Sequence, residues 1–233
     1  MICISMIPIF DLDDTLYPEE TFVQSGFRAV AHWLKEELDW DALDSLEIMN
    51  HVLAKQGRGA VFDALLQKKG MLSKQLVKRC VRVYRHHTPS ISLFPAAVEV
   101  LAKLDKPLYL VTDGHKIAQR NKIKALGIET CFRKAFITHY FGINRAKPST
   151  YCFDKIRMME KCQWRDLVYV GDNPAKDFVN LNPLGCVTIR VLTGEHGGAK
   201  AKPGHDAQHR IGGLSQLPEL LNTIAKPVFG KCI

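Results

Sequence analysis

Five short apolar runs rich in β-branched residues recur along the chain, at Ile7 to Phe10, Leu108 to Thr112, Lys134 to Thr138, Leu167 to Gly171 and Val187 to Val191. Each has the length of one strand and little polar alternation, as expected of strands covered on both faces in a parallel sheet. Helical patterns separate the later runs, around Ile117 to Leu126, Thr150 to Lys161 and Ala175 to Leu181. A parallel crossover needs a helix to carry the chain back, so this alternation predicts an α/β fold with a doubly wound, Rossmann-like parallel sheet.

The first interval breaks that rhythm. From about Tyr17 to Pro89 the sequence shows helical patterning without a clear strand. Phe22, Phe27, Val30, Trp33, Leu34 and Leu38 approximate one apolar face, and Val52, Leu53, Val61, Leu65 and Leu66 suggest further helices. A basic helix from Ser73 to His87 leads to Pro89, and Ser92 to Lys103 returns the chain to the sheet. One helix suffices for a crossover, so about seventy residues here imply an inserted helical domain. The expected division is a core of residues 1–16 and 90–233 and an insertion of residues 17–89. Gly194 to Gly204, biased to Gly, Lys and Ala, reads as a loose stretch.

A length of 233 residues with 46% hydrophobic content supports one full core and a smaller appended unit. No apolar run approaches the roughly 20 residues of a membrane-spanning helix. The opening Met1 to Phe10 lacks the basic start and cleavage site of a secretory signal and reads as a buried strand. The seven cysteines are scattered and never closer than ten residues apart, which excludes close-pair zinc spacings and points to reduced thiols in a cytoplasmic protein. The formal charge of +8 would attract a polyanion or a phosphorylated metabolite. With basic residues dispersed and aromatics at 9%, no nucleic-acid partner is expected.

The chemistry-bearing residues follow the predicted strands. The first strand ends in Asp11-Leu12-Asp13-Asp14-Thr15. At the carboxyl edge of an open α/β sheet, where ligands bind, two carboxylates spaced by two residues can converge. One can attack phosphorus while the other manages the leaving group's proton, provided a cation offsets their repulsion. The second strand ends in Val111-Thr112-Asp113-Gly114-His115, a hydroxyl and glycine-exposed amides at a helix start, which suits a phosphate. Lys147-Pro148-Ser149 follows the third strand and places a compact cation before a helix. The fourth strand ends in Val170-Gly171-Asp172-Asn173-Pro174-Ala175-Lys176-Asp177. Asp172 would stand at the same edge as Asp11, and magnesium, which wants oxygen ligands and keeps several waters, needs little more from the protein. Asp177 could bind a metal water or hold the lysine.

In this order the four segments resemble the haloacid dehalogenase-like hydrolase superfamily, over nearly the whole chain. The insertion between the first and second motifs resembles that family's helical cap. The resemblance implies Asp11 as the nucleophile that forms an aspartyl-phosphate, and Asp13 as general acid and then base. It implies Thr112 and Lys147 as holders of the phosphoryl oxygens, with Asp113 and Gly114 beside them in the substrate-binding segment. Asp172 and Asp177, with Asp11 and the Asp13 carbonyl, would make the magnesium site. Members that dehalogenate lack an acid at the Asp13 position, so the resemblance implies a phosphatase.

Asparagine often follows the threonine of the second motif, and here Asp113 adds a negative charge unless it points away or binds a basic neighbour such as His115. The Asp-Asp-Thr-Leu-Tyr start and the cap are similar to acylneuraminate phosphatases and nucleotidases, which implies a small phosphorylated metabolite, a sugar phosphate or nucleotide, as substrate. The alternatives are a phosphomutase using the same intermediate and a non-catalytic binding protein on the same scaffold. Within the cap, the basic segment Lys78, Arg79, Arg82, Arg85, His86 and His87 is the expected source of specificity, set against the alternative of a solvated outer face.

Overall fold

The computed structural model describes residues 6–225. Cys3 and Cys232 lie outside them. The described cysteines Cys80, Cys131, Cys152, Cys162 and Cys186 are all free thiols, as the scattered spacing predicts.

The five apolar runs form β1 (Ile7–Phe10), β2 (Tyr109–Thr112), β3 (Lys134–Ile137), β4 (Leu167–Gly171) and β5 (Val187–Val191), and a sixth strand, β6 (His209–Ile211), extends the sheet. All pairings are parallel and the order is β3-β2-β1-β4-β5-β6. With a three-residue strand there is too little sequence for a periodicity to register, so β6 has no signature of its own. Alternate residues of each strand enter two cores. Phe10, Leu110, Val168 and Val170 pack on one face of the sheet, and Ile9, Tyr109, Val111 and Tyr169 on the other. Burial on both sides explains why these runs carry no polar alternation.

Between β1 and β2 run α1 (Glu19–Leu38), α2 (Ala42–Gln56), α3 (Val61–Lys68), α4 (Lys74–His86) and α5 (Pro95–Lys103). The first four enclose an apolar cluster of their own, built from Phe27, Val30, Leu34, Met49, Val52, Leu65 and Leu66 among others. Phe22 and Tyr17 instead join the sheet-side cluster, so the start of α1 seats the helical layer on the core. Asp41 and Ser73 cap α2 and α4, each accepting from the backbone amide three residues on.

Beyond β2 come α6 (Lys116–Ala125), α7 (Tyr151–Glu160) and α8 (Leu217–Ala225). The helix expected over Ala175 to Leu181 is instead a succession of turns. Asn173 Oδ1 accepts from Ala175 N at 2.9 Å, and Asp177 Oδ2 accepts from Asn173 N at 2.9 Å. Side chains that capture nearby amides this way compete with helical bonding. No described helix is long and apolar enough to cross a membrane.

The stretch from Gly194 to Gly204 is not loose. Arg190 on β5, only 2% exposed, donates to the carbonyls of His196 and Ala199 at 2.7 and 2.8 Å and pairs with Asp206 at 3.4 Å. A buried guanidinium thereby supplies the order that the composition does not suggest.

Candidate active site

The strand order changes direction between β1 and β4, the switch point of the sheet, and a cleft of about 1020 Å³ opens there between the sheet edge and the helical layer. Register brings the carboxylates together. Phe10 pairs with Val170, and Asp11 N donates to Val170 O at 2.8 Å, so Asp11 and Asp172 leave adjacent strands side by side. Gly171 makes room: a Cβ there would lie 2.6 Å from Asp177 Oδ2, which lets the Asp177 carboxylate close on the end of β4.

Carboxylate oxygens of Asp11, Asp172 and Asp177 lie within 4.8 Å of one another, and all three residues are buried. Lys147 Nζ sits 2.8 Å from Asp11 Oδ2, 2.8 Å from Asp177 Oδ1 and 2.8 Å from the Tyr169 hydroxyl. Burial works against its charge, but Asp11 and Asp177 outweigh it and hold its pKa well above the ordinary lysine value. The opposite holds for the acids. Burial pushes Asp11 up to about 7 despite Lys147, with Asp177 adding to the rise, and burial with the Asp11 and Asp177 charges pushes Asp172 up to about 9. One lysine does not neutralise three buried carboxylates, and Asp11 Oδ1 is buried without a hydrogen-bond partner. An all-oxygen cluster with an orphaned oxygen fits a hard divalent cation such as magnesium. Asp177 holds the lysine, one of the two roles the sequence suggests for it, and its carboxylate also belongs to this cluster.

Asp13 stands apart from that cluster in partners. Its carboxylate accepts from Tyr17 Oη at 2.5 Å, from Lys122 Nζ at 2.6 Å and from Gln119 Nε2 at 2.8 Å. Burial raises its pKa, but Lys122 and these hydrogen bonds prevail and hold it below the usual carboxylate range. Lys122 and Gln119, on α6, carry no sequence signal at this site. They lie over a hundred positions from Asp13, and nothing local links them.

The second motif is arranged differently from expectation. Asp113 and Gly114 line the cleft, whereas Thr112 is fully buried behind them and its hydroxyl accepts from Gln119 Nε2 at 2.6 Å. Asp113 does not bind His115. Its Oδ1 accepts from Thr138 Oγ1 at 2.8 Å and from Lys147 N at 3.1 Å, and its Oδ2 meets Lys176 Nζ at 3.3 Å. These donors, with Lys147 and Lys176 foremost, keep Asp113 ionised against the cost of burial. The extra negative charge is therefore engaged by protein groups, and Lys176 joins the cleft wall as a cation that sequence reading passed over.

On the far side of the cleft, Asn173 Nδ2 meets His196 Nε2 at 2.8 Å. Asp14 ties the site to the loop after β5. It accepts from the backbone of Glu19 at 2.8 Å and of Glu195 at 3.1 Å, and its carbonyl accepts from the Thr193 hydroxyl. Arg58, from the helical layer, pairs with Glu19 at 2.8 Å and reaches Glu195 at 3.5 Å across the cleft. The basic face of α4 divides. Arg79 turns outward to pair with Glu37 and stacks over Trp33 at 4.8 Å, while Arg85 lines a smaller cavity beside the cleft.

Comparison with known proteins bears on family and fold. The family model described as haloacid dehalogenase-like hydrolase matches residues 8–191. Among curated relatives, the glyceraldehyde 3-phosphate phosphatase of Methanocaldococcus jannaschii is 28% identical, over 94% of this chain and 97% of that protein. That of Pyrococcus furiosus is 25% identical, over 91% of each. Among solved structures, a 2-haloacid dehalogenase from Pseudomonas syringae superposes with a TM-score of 0.63 at 25% identity, covering 94% of this chain and 98% of that one. The magnesium-bound putative hydrolase YfnB of Bacillus subtilis superposes at 0.65 and 18% identity, covering 93% of this chain and 98% of that one.

Proposed function

The chain belongs to the haloacid dehalogenase-like hydrolases, and from that premise we propose that it is a magnesium-dependent phosphatase that hydrolyses the phosphate monoester of a small metabolite through an aspartyl-phosphate on Asp11. The observation that carries this reading is the environment of Asp11: one oxygen held by Lys147 at 2.8 Å, the other buried without a partner, and Asp172 and Asp177 within reach. The names of the archaeal relatives support a phosphatase over a dehalogenase, as does the acid at position 13.

Asp11, Asp172 and Asp177, with the Asp13 carbonyl, would hold magnesium, which supplies positive charge that lets buried carboxylates and a phosphoryl dianion share one space. In the first step the Asp11 carboxylate attacks phosphorus. The ester P–O bond breaks, and the leaving oxygen takes its electron pair and the proton that Asp13 carries in its protonated form. In the second step water attacks the phosphorus, Asp13 accepts its proton, and phosphate leaves with Asp11 restored. Lys147 and Lys176 place positive charge along the path of the phosphoryl oxygens. Asp13, held ionised by Lys122, is better prepared to accept a proton than to donate one, so turnover is expected to rise steeply as the leaving alcohol becomes more acidic.

The test is phosphate release from a panel of phosphorylated metabolites, glyceraldehyde 3-phosphate included, with magnesium, with calcium and with chelator. Intact mass after acid quench would accompany it. Magnesium-dependent release and a phosphate adduct on Asp11 are expected; undiminished release in chelator, or an adduct elsewhere, refutes the reading.

A further inference from the structure

Beside the cleft, between α1, α3 and α4 of the helical layer and α6 of the core, lies a second cavity of about 230 Å³. Asp13, Asp113 and Gly114 line both spaces, so the cavity opens on the side of Asp13, where the proposed mechanism releases the alcohol. Four rings share its walls with charged residues that include Asp13, Glu19, Arg58 and Lys122. Phe22 meets Tyr84 at 5.4 Å, Phe27 meets Phe62 at 6.2 Å, and Phe62 meets Tyr84 at 5.8 Å, all in edge-to-face contacts, with Lys122 Nζ over the Phe22 ring at 4.2 Å. Gly26 sets the position of Tyr84, because a Cβ there would stand 2.3 Å from the tyrosine ring.

Most of the polar groups that share the space are already engaged, the Arg85 guanidinium and the Tyr84 hydroxyl excepted. Lys122 binds Asp13 and Glu19, Arg58 binds Glu19 and Glu195, and Gln119 donates to Asp13, Thr112 and the Asp113 carbonyl. A polyol entering here would give up water for few unpaired donors and acceptors, at a cost for each hydroxyl left without a partner. An apolar ring brings no hydroxyl of its own to leave unpaired. His115, whose Nδ1 is buried without a partner, also lines the space. A cavity of about 150 Å³ accepts benzene, and sites for drug-sized ligands begin at roughly 300 Å³. The space therefore suits a single six-membered ring with a small substituent.

Resting on the phosphatase reading, we propose that the preferred substrates are phosphate monoesters of single-ring aromatic alcohols, with the ring seated among Phe22, Phe27, Phe62 and Tyr84 and the ester oxygen beside Asp13. This differs from the three-carbon substrate in the names of the archaeal relatives.

Benzyl phosphate and glycerol 3-phosphate, both esters of unactivated primary alcohols, separate ring recognition from leaving-group reactivity. With magnesium, kcat/KM for the benzyl ester should exceed that for the glycerol ester by at least about tenfold, the worth of burying a ring. Calorimetry should find benzylphosphonate bound at least about tenfold more tightly than methylphosphonate, which reads the cavity without turnover. Ala118→Leu, which fills the cavity from α6, should bring both ratios towards one, and Phe62→Ala, at a partly exposed position, should lower them if the first variant folds poorly. Equal efficiency for the two esters, or equal affinity for the two phosphonates, overturns the inference and leaves the phosphatase standing. Absence of phosphate release from both esters and from acetyl phosphate, which needs no cavity, overturns the phosphatase reading and this one with it.

Discussion

The two walls of the cleft are held by different forces. On the sheet side, Asp11, Lys147, Asp172 and Asp177 form a buried charge cluster whose spacing comes from the β1–β4 register and whose members cannot shift without exposing an unpaired charge. On the helical side, in the cavity that adjoins the cleft, Phe22, Phe27, Phe62 and Tyr84 are held by packing among neighbouring helices, and the main charged contact across the cleft is the half-exposed Arg58. A charge cluster tolerates almost no change of residue type, whereas packing tolerates exchange of one apolar side chain for another of similar volume. Reaction type should therefore reside in the first wall and substrate choice in the second.

The largest effect should come from Asp11→Asn, which removes the attacking oxygen. Turnover and the covalent phosphate are expected to disappear while the fold persists, as read by phosphate release, intact mass and circular dichroism. Full activity in this variant would break the comparison at its root.

Next comes Asp13→Asn, where about a hundredfold to ten-thousandfold loss is expected for an alkyl ester and much less for an activated one. Slower release of the intermediate should let phosphate accumulate on Asp11, so acid-quench mass spectrometry distinguishes loss of the base from loss of the nucleophile.

Raised acids predict a pH dependence of stability in the metal-free protein. Asp11 at about 7 and Asp172 at about 9 both stand above the unfolded value of 3.8, so the folded state holds more protons than the unfolded state between these limits. Stability from these groups then falls as pH rises through the window. Asp13, depressed below 3.8, and Lys147, raised above 10.5, titrate outside pH 5 to 8, while His87 and His115, lowered from 6.5 chiefly by burial, act in the opposite direction below that value and blunt the decline that the two acids set. Metal-free Tm should decline from pH 5 to pH 8, and magnesium should raise Tm more at pH 8 than at pH 5. A magnesium-induced shift independent of pH would contradict the carboxylate assignment.

The smallest effects belong to the basic residues of α4. Arg79→Ala breaks an exposed pair with Glu37, worth at most about 1 kcal/mol, and should leave kcat and KM unchanged. Arg85→Ala, at the cavity wall, should move KM only a few-fold. Comparable large losses in both would blur the division between the walls.

How far each wall was legible follows from the same contrast. The residues at the strand ends announce themselves because a buried parallel strand followed by carboxylate, hydroxyl or lysine is a local pattern, and Asp11, Asp113, Lys147, Asp172 and Asp177 all come to one edge. Thr112 follows the same pattern, yet the structure turns it behind the cleft onto Gln119. The basic run of α4 was visible as composition, but which arginine faces the cavity depends on how the helix is rolled against α1 and α3. Ala175 to Leu181 had helical spacing and lost it to side-chain capture of backbone amides by Asn173 and Asp177.

The sequence by itself determined the parallel sheet, the inserted helical layer and the acids and lysine that gather at the sheet edge, because each rests on periodicity or on neighbours a few residues apart. Only the tertiary structure decided that Lys122 and Gln119 hold Asp13, that Lys176 engages Asp113, that Arg190 orders the loop after β5, and that four rings enclose a cavity beside Asp13. The physical reason is that hydrogen bonds and ring contacts are short-ranged in space and indifferent to separation along the chain. Residues a hundred positions apart become partners only once helices and strands have packed.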